Sequence, residues 1–148
     1  MTVLVISPSM TVSEELPLGP EGYLAKIRSL LGGPVNEATY HRQARMWARD
    51  SGGGERNVMA TALASAWLGR DLASAYWLYG PVALAGVDSD GRAQACPPEV
   101  YRDVRALQEV FHDLRTRWAA TGGPADHDAW QQILAGAFAA IPTAARTA

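Results

Sequence analysis

The sequence predicts an α+β fold, in which a small, mainly antiparallel sheet is covered on one face by helices and is followed by an antiparallel helical pair. Short apolar runs bounded by glycine, proline and aspartate alternate with helical periodicity over the first two-thirds of the chain. The most apolar and aromatic run, Ala75 to Gly91, is predicted to be a strand through the core that ends sharply at the polar turn Asp88–Gly91. After Pro97 and Pro98 only helical periodicity follows.

The first part of the chain is predicted to form two strands and a helix. Val3 to Ile6 is a continuous apolar run of the kind that suits a strand buried on both faces. Val12 to Leu18 is more polar and would be a second strand, as a hairpin partner of the first. Apolar residues then recur at helical spacing from Pro20 to Leu31, and the run Gly32–Pro34 ends that helix.

The segment from Val35 to Asp50 leaves two interpretations open. Val35–Tyr40 and Arg45–Arg49 fit the two strands of a hairpin. A single helix from Asn36 to Ala48 is the alternative, because several residues in this segment favour helices.

A helix and the central strand are predicted next. Asn57 is placed to cap the helix with its side chain, and Gly69 is placed to end it. Gly80 and Pro81 interrupt the strand that follows and mark a bulge or an edge position. The predicted buried stripe of the helix consists of Met59, Leu63, Ala66 and Trp67.

The last third of the chain is predicted to be a helical pair within a single domain. The break at Gly122–Pro124 separates the two helices, and Asp126 is placed to cap the second. We expect one domain over residues 1–148, with a sheet-containing part at 1–96 and the helical pair at 97–142. The pair would pack on the sheet or on a second copy. The apolar stripe of the first helix is Val100, Val104, Leu107, Phe111, Leu114 and Trp118.

Composition restricts the functional classes. A formal net charge of −2 argues against a general nucleic-acid binder. Arginine replaces lysine almost everywhere, which we interpret as the mark of a GC-rich, actinobacterial type of genome. The single cysteine, Cys96, excludes an internal disulfide. No charged leader with a long apolar run opens the sequence, so a cytoplasmic protein without a membrane association is expected.

Four stretches carry a resemblance to a known family. They are an opening strand at Val3–Pro8, a helix ending in Leu-Gly-Gly at Leu24–Gly33, an Asn-x-x-Ala-Thr signature at Asn57–Leu63, and a closing strand and turn at Tyr79–Gly91. Together they resemble the domain-of-unknown-function family numbered thirty-eight forty-six, from phages, plasmids and Gram-positive bacteria. The resemblance implies a small α+β domain in a mobile-element or accessory context, and it implies no activity. The stretch Tyr40–Gly54 departs from the family pattern.

Basic and aromatic residues interleave between positions 40 and 56, a pattern that can bind single-stranded nucleic acid. Glu37, Asp50 and Glu55 dilute the positive charge, so a solvated strand or loop is the favoured alternative. The candidate nucleic-acid-binding residues are Tyr40, Arg42, Arg45, Trp47, Arg49 and Arg56.

Candidate metal and catalytic residues are few. The turn at Asp88–Gly91 does not fit a calcium loop, and the three histidines lack metal-binding spacing, so no metal and no cofactor are expected. Cys96 lacks a context that would activate its thiol. An enzyme would have to assemble its site from distant residues such as His41, Asn57 and Cys96.

The function favoured by the sequence is a non-catalytic accessory or interaction protein with a protein partner. A weak single-stranded nucleic-acid binder and a small enzyme are the two alternatives. We also expect a homodimer, because the helix after Pro98 carries apolar residues beside its main stripe. The candidate interface residues are Tyr101, Val110 and Phe111.

Overall fold

The computed structural model describes residues 3–15, 23–49 and 54–143, which form a sheet with one helix on one face and three helices on the other side. The predicted α+β class and the C-terminal helical pair are confirmed. The strands are β1 (Val3–Ile6), β2 (Val12–Glu15), β3 (Val35–His41), β4 (Ala44–Arg49), β5 (Val82–Val87) and β6 (Ala93–Gln94). The helices are α1 (Tyr23–Leu31), α2 (Val58–Leu68), α3 (Pro98–Thr121) and α4 (Asp126–Ala140), and a 3-10 turn covers Leu72–Ser74. The predicted strand residues 16–18 and helix residues 20–22 lie outside the described residues.

The sheet is antiparallel, with β5 at its centre. Its strand order is β2-β1-β5-β4-β3, and β6 pairs with the end of β5. Leu84 of β5 lies opposite Leu4 of β1 on one side and opposite Met46 of β4 on the other. The central strand therefore comes from the predicted stretch, but it begins only at Val82. Gly80 has a positive φ of 70° and Pro81 has no N–H to donate, so the ladder cannot extend back to residue 76.

Residues 35–49 form a hairpin, so the helical alternative is wrong. The turn is at residues 42 and 43, and the register pairs Val35 with Arg49 and Ala38 with Met46. An ion pair of 2.8 Å between Glu37 and Arg45 joins the two strands. The reason is tertiary: β4 pairs with β5 as well as with β3, so the central strand holds this segment in the sheet despite its helix-favouring residues.

Helices cover both faces of the sheet, which corrects the expectation of one covered face. α1 packs through Ile27 and Leu31 on the face that carries Trp47. α2 lies on the opposite face, which carries Leu4, Met46 and the other half of the core. The physical reason is that β1 and the first four residues of β5 are apolar and buried at every position, so neither face can be left to water.

α2 is buried on all sides. Residues 59–67 are all buried, so the predicted stripe was too narrow. The cause is the helical pair, which packs on the outer side of α2 rather than on the sheet. Asn57 is the N-cap as predicted, with Oδ1 accepting from the Ala60 N–H at 3.0 Å, and Gly69 ends the helix with a φ of 74°.

α3 and α4 pack antiparallel along their length. The Trp118 Nε1–H donates to Gln132 Oε1 at 3.1 Å near the connection. Farther along, a Cβ at Gly136 would come within 2.7 Å of a Val110 methyl group, so only glycine allows this approach. The predicted cap at Asp126 is wrong: Ala125 occupies the N-cap position without a side-chain bond, and Asp126 is the first residue of α4.

We predict that Asn57→Ala lowers the free energy of unfolding by about 3 kcal/mol. About 1 kcal/mol comes from the lost cap. The rest comes from the carbonyls of Ile6 and Gly80, each of which accepts from Asn57 Nδ2 at 2.8 Å and would be left buried without a partner. Urea denaturation followed by circular dichroism measures the change.

Asn57→Asp keeps the cap oxygen but places a buried carboxyl group against the two carbonyl oxygens, so it should cost at least as much stability as Asn57→Ala. A midpoint like that of the parent protein would show that the two bonds to the carbonyls contribute little.

Candidate functional site

The six residues of the predicted nucleic-acid patch do not share one surface. Tyr40 is 6% exposed on the α2 side of the sheet, whereas Trp47 is 0% exposed on the α1 side. Neither ring can stack on a base. Arg45 is paired with Glu37, and Arg42 lies at the hairpin turn. Only Arg49 and Arg56 of the predicted set lie near accessible aromatic rings.

Those rings belong to an aromatic cleft beside the β3–β4 hairpin. Its volume is about 300 Å³. One wall is the hairpin and the other is the segment 76–79, which joins the 3-10 turn to the central strand. We call it the aromatic cleft; its lining residues are Asn36, Glu37, Ala38, Tyr40, Met46, Ala48, Arg49, Tyr76, Trp77, Leu78 and Tyr79.

The hairpin wall follows from strand alternation. Asn36, Ala38 and Tyr40 alternate along β3 on the α2 side, and Met46 and Ala48 lie opposite on β4. The two alanines leave the space that larger side chains would fill. The cleft is therefore encoded by small residues at positions where the rest of this face carries bulky ones.

The two walls meet at a bond between two tyrosine hydroxyls. Tyr40 and Tyr76 are joined at 2.6 Å. Burial, reinforced by this bond, raises the pKa of Tyr40 well above its usual range, so its hydroxyl stays protonated at neutral pH. Tyr76 is 48% exposed. The bond thus holds an exposed aromatic ring in one orientation at the mouth of the cleft.

The other wall is held by rings and by the backbone. Trp77 lies against Trp130 of α4, with ring centroids 4.6 Å apart, and the Arg56 guanidinium lies 4.8 Å from the Trp77 ring. The Leu78 N–H donates to Thr61 Oγ1 at 3.1 Å, and the Leu78 carbonyl accepts from the Asn57 N–H at 2.7 Å. Segment 76–79 is therefore irregular in conformation, but its side chains and backbone make defined ring contacts and hydrogen bonds.

A second, polar cleft lies at the other end of the hairpin. It has a volume of about 230 Å³. Asp103 is 2% exposed, and its Oδ2 accepts from the Trp67 Nε1–H at 2.9 Å. The His41 ring packs edge-on against Trp67, with centroids 4.9 Å apart. The polar cleft is lined by His41, Arg42, Gln43, Glu99, Arg102, Asp103, Pro142 and Thr143.

His41 is buried and neutral in this setting. Its Nδ1 accepts from the Gln43 N–H at 3.0 Å, so the proton of the neutral ring is on Nε2. Burial lowers the pKa of His41 and Arg42 adds to that effect, while Asp103 and Glu99 oppose it. Sequence spacing could not identify this cluster, because His41 comes from β3 and Asp103 from α3.

The other two residues of the hypothetical enzyme site have structural contacts. The Asn57 side chain is engaged by three backbone groups. Cys96 is buried, its Sγ donates to the Leu84 carbonyl at 3.6 Å, and burial raises the pKa of its thiol to about 12. A thiol with this pKa is not a nucleophile at neutral pH.

The Asp88 turn, possible metal ligands and membrane-spanning helices remain to be compared with the structure. Asp88 Oδ1 accepts from the N–H groups of Asp90 and Arg92, which is the hydrogen bonding of a polar turn. Among the described residues, no group of three or more His, Cys, Asp or Glu side chains could hold a metal ion. No helix in the described ranges is long and apolar enough to cross a membrane.

The predicted interface residues are only partly accessible. Phe111 is 4% exposed and belongs to the main core, which corrects its assignment to a surface. Val110 is half-buried against Gly136 of α4, and Tyr101 is half-buried beside the core. The α4 helix thus covers Val110, one of the apolar residues that the sequence left without a partner. The homodimer itself stays a prediction.

Comparison with known proteins finds no matching family model, no matching curated protein and no matching solved structure.

We predict that acidification destabilises the protein through His41. The folded pKa of His41 lies below the unfolded value of about 6.5, so the folded state binds fewer protons. Its contribution to stability is fully present above about pH 6.5 and is lost as the pH falls toward the folded pKa. Urea unfolding at a series of pH values measures this loss.

His41→Gln should make the unfolding free energy less dependent on pH in that window. His112→Gln, at an exposed position of α3, is the control and should leave the pH dependence unchanged. Parallel curves for the parent and His41→Gln would contradict the assignment.

Proposed function

We propose that this chain is a non-catalytic interaction protein that binds a protein partner at the aromatic cleft. The observation that carries the proposal is Tyr76, an exposed ring fixed at the mouth of the cleft by its bond to the buried Tyr40. An aromatic side chain that is already ordered loses little conformational entropy on binding. Rigid, partly exposed tyrosines of this kind are frequent at recognition sites.

Exposure of large apolar side chains supports the choice of this surface. Tyr76 and Phe138 are the exposed large hydrophobic residues of the described chain. Phe138 lies on the outer side of α4, whereas Tyr76 borders a concave site with an apolar floor of Met46 and Leu78. A concave, mainly apolar site with a few polar groups is the usual form of a binding site.

The polar groups of the core support a binding role over a catalytic one. Asp103 accepts the Trp67 indole bond and so joins α3 to α2. Asn57 and Cys96 are engaged by backbone carbonyls. Each of these groups makes a structural hydrogen bond, which would have to break before the group could take part in a reaction.

The wider context is also part of the proposal. The sequence resemblance supports an accessory role in a phage or plasmid setting, and the arginine bias supports an actinobacterial host. We place the protein in the cytoplasm and retain the homodimer as its proposed oligomeric state.

Single-stranded nucleic acid is a second candidate ligand, because Arg56 lies on the Trp77 ring and Arg49 lines the same cleft. Arginine and exposed aromatic rings together bind bases and phosphates. This nucleic-acid site differs from the one predicted from the sequence: its aromatic rings are Tyr76, Trp77 and Tyr79 instead of the buried Tyr40 and Trp47.

The protein-binding proposal is tested by photo-crosslinking from the cleft. A photo-reactive amino acid at Asn36, on the hairpin wall, should capture one specific protein in a lysate of the source organism. The same captured protein, purified, should bind the parent chain directly, and Tyr76→Ala should weaken that binding about tenfold or more. Phe138→Ala is the control and should bind normally. A partner that binds equally well to Tyr76→Ala would contradict the proposal.

The nucleic-acid candidate is tested with a labelled oligothymidylate in fluorescence anisotropy. If it is right, affinity falls steeply with salt, because phosphate contacts release counterions. The double variant Arg49→Ala and Arg56→Ala should then lose binding, while Arg28→Ala and Arg105→Ala, at exposed sites on α1 and α3, give the same charge change and retain it. No binding by the parent protein at low salt would eliminate this candidate.

A further inference from the structure

We infer that the partner supplies an extended segment that pairs with β3, inserts one large apolar side chain into the aromatic cleft and carries an acidic residue beside it. This inference rests on the proposed function, because it uses the same cleft. It specifies what kind of partner chain the cleft recognises.

The first step is the edge of the sheet that β3 forms. β3 is the terminal strand, and among the described residues its only strand partner is β4. With seven residues β3 is the longest of the described strands, whereas the described part of the other edge strand, β2, has four. In an antiparallel ladder every second residue of an edge strand directs its N–H and C=O groups away from the sheet. Such an edge can bind an extended chain through main-chain hydrogen bonds.

The second step is the position of the cleft on that same strand. Asn36, Ala38 and Tyr40 of β3 line it, so a strand added beside β3 would direct alternate side chains toward it. Side chains directly opposite each other on paired strands lie about 5 Å apart. The volume of about 300 Å³ is at the lower limit for ligand sites, which suits one large side chain better than a whole cofactor.

The third step is the length of the pairing. The ladder between β3 and β4 is irregular between Ala38 and His41. A bulge twists an edge and ends regular pairing. The regular part of β3 therefore begins at Val35 and ends at Ala38, where the cleft lies, so the bound segment is short, of about five residues.

The fourth step is charge. Arg49 lines the cleft and Arg56 lies on its Trp77 wall. Within the described part of the chain neither arginine is ion-paired, while the Glu37 carboxylate is occupied by Arg45. Arg49 and Arg56 are therefore the two cationic groups at the cleft with which a bound carboxylate could pair, in a protein with a net charge of −2. A segment with aspartate or glutamate beside its apolar side chain complements this charge.

The test uses a series of short, fluorescein-labelled peptides of the form Asp-Val-X-Val-Asp, in which X is Phe, Tyr, Trp, Leu, Ile or Met. At least one should bind in fluorescence anisotropy. Its counterpart with lysine in place of both aspartates should bind about tenfold more weakly or worse. A version with alternate amides N-methylated should lose binding, because it cannot complete the ladder. Failure of all the peptides at millimolar concentration would overturn the inference.

Two variants locate the peptide. Ala38→Phe fills the cleft and should abolish binding, whereas Thr39→Phe adds the same ring at the next, exposed position of β3 and should not. If Ala38→Phe fails to fold by circular dichroism, Tyr76→Ala replaces it, because that side chain is partly exposed. Equal binding by the cleft variant and the parent would overturn the inference.

The outcomes also separate this inference from the proposed function. If crosslinking from Asn36 captures a partner whose binding needs Tyr76 but N-methylation has no effect, the cleft binds proteins without strand pairing and the inference fails alone. If the captured partner binds Tyr76→Ala as well as it binds the parent chain, the cleft is not the binding site and both fail. A dimer in light scattering that Ala38→Phe abolishes would assign the edge to a second copy and overturn the inference.

Discussion

The structure depends on the buried side chain of Asn57. Its Oδ1 caps α2, and its Nδ2 donates to the carbonyls of Ile6 and Gly80, at the end of β1 and just before β5. One amide thus fixes the start of the buried helix relative to two neighbouring strands. Both carbonyls accept from the Asn57 amide at 2.8 Å in a buried setting, so an apolar residue at position 57 would remove these bonds together with the helix cap.

Asn57 is the first of three buried polar residues spaced four apart on one face of α2. The Thr61 hydroxyl donates to the Asn57 carbonyl and accepts from the Leu78 N–H; the Ser65 hydroxyl donates to the Thr61 carbonyl and accepts from the Leu72 N–H. All three are fully buried on an otherwise apolar helix. This polar row holds the irregular segment from Leu72 to Leu78, because a segment outside the ladder needs partners for its backbone groups.

Local signals in the sequence identified most of the fold and little of the site. The Asn57 cap, the ending of β5 at Asp88 and the breaks between helices depend on neighbouring residues, which is why they were predictable. The aromatic segment was predicted to be strand and core, because its composition suits both. Only the positive φ of Gly80 and the bonds from α2 take it out of the sheet. The His41 and Asp103 cluster joins residues far apart in sequence, and no spacing encodes it.

The cleft exists because its two walls are held in place by separate interactions. The polar row of α2 fixes segment 76–79 from one side, and the ladder with β5 fixes the hairpin from the other. Ala38 and Ala48 are too small to fill the space that remains. The Tyr40–Tyr76 bond spans it at one end. Close packing is the rule for protein interiors. This space lies at the surface instead, open beside the Tyr76 ring, which is 48% exposed, and it is the surface on which the proposed binding rests.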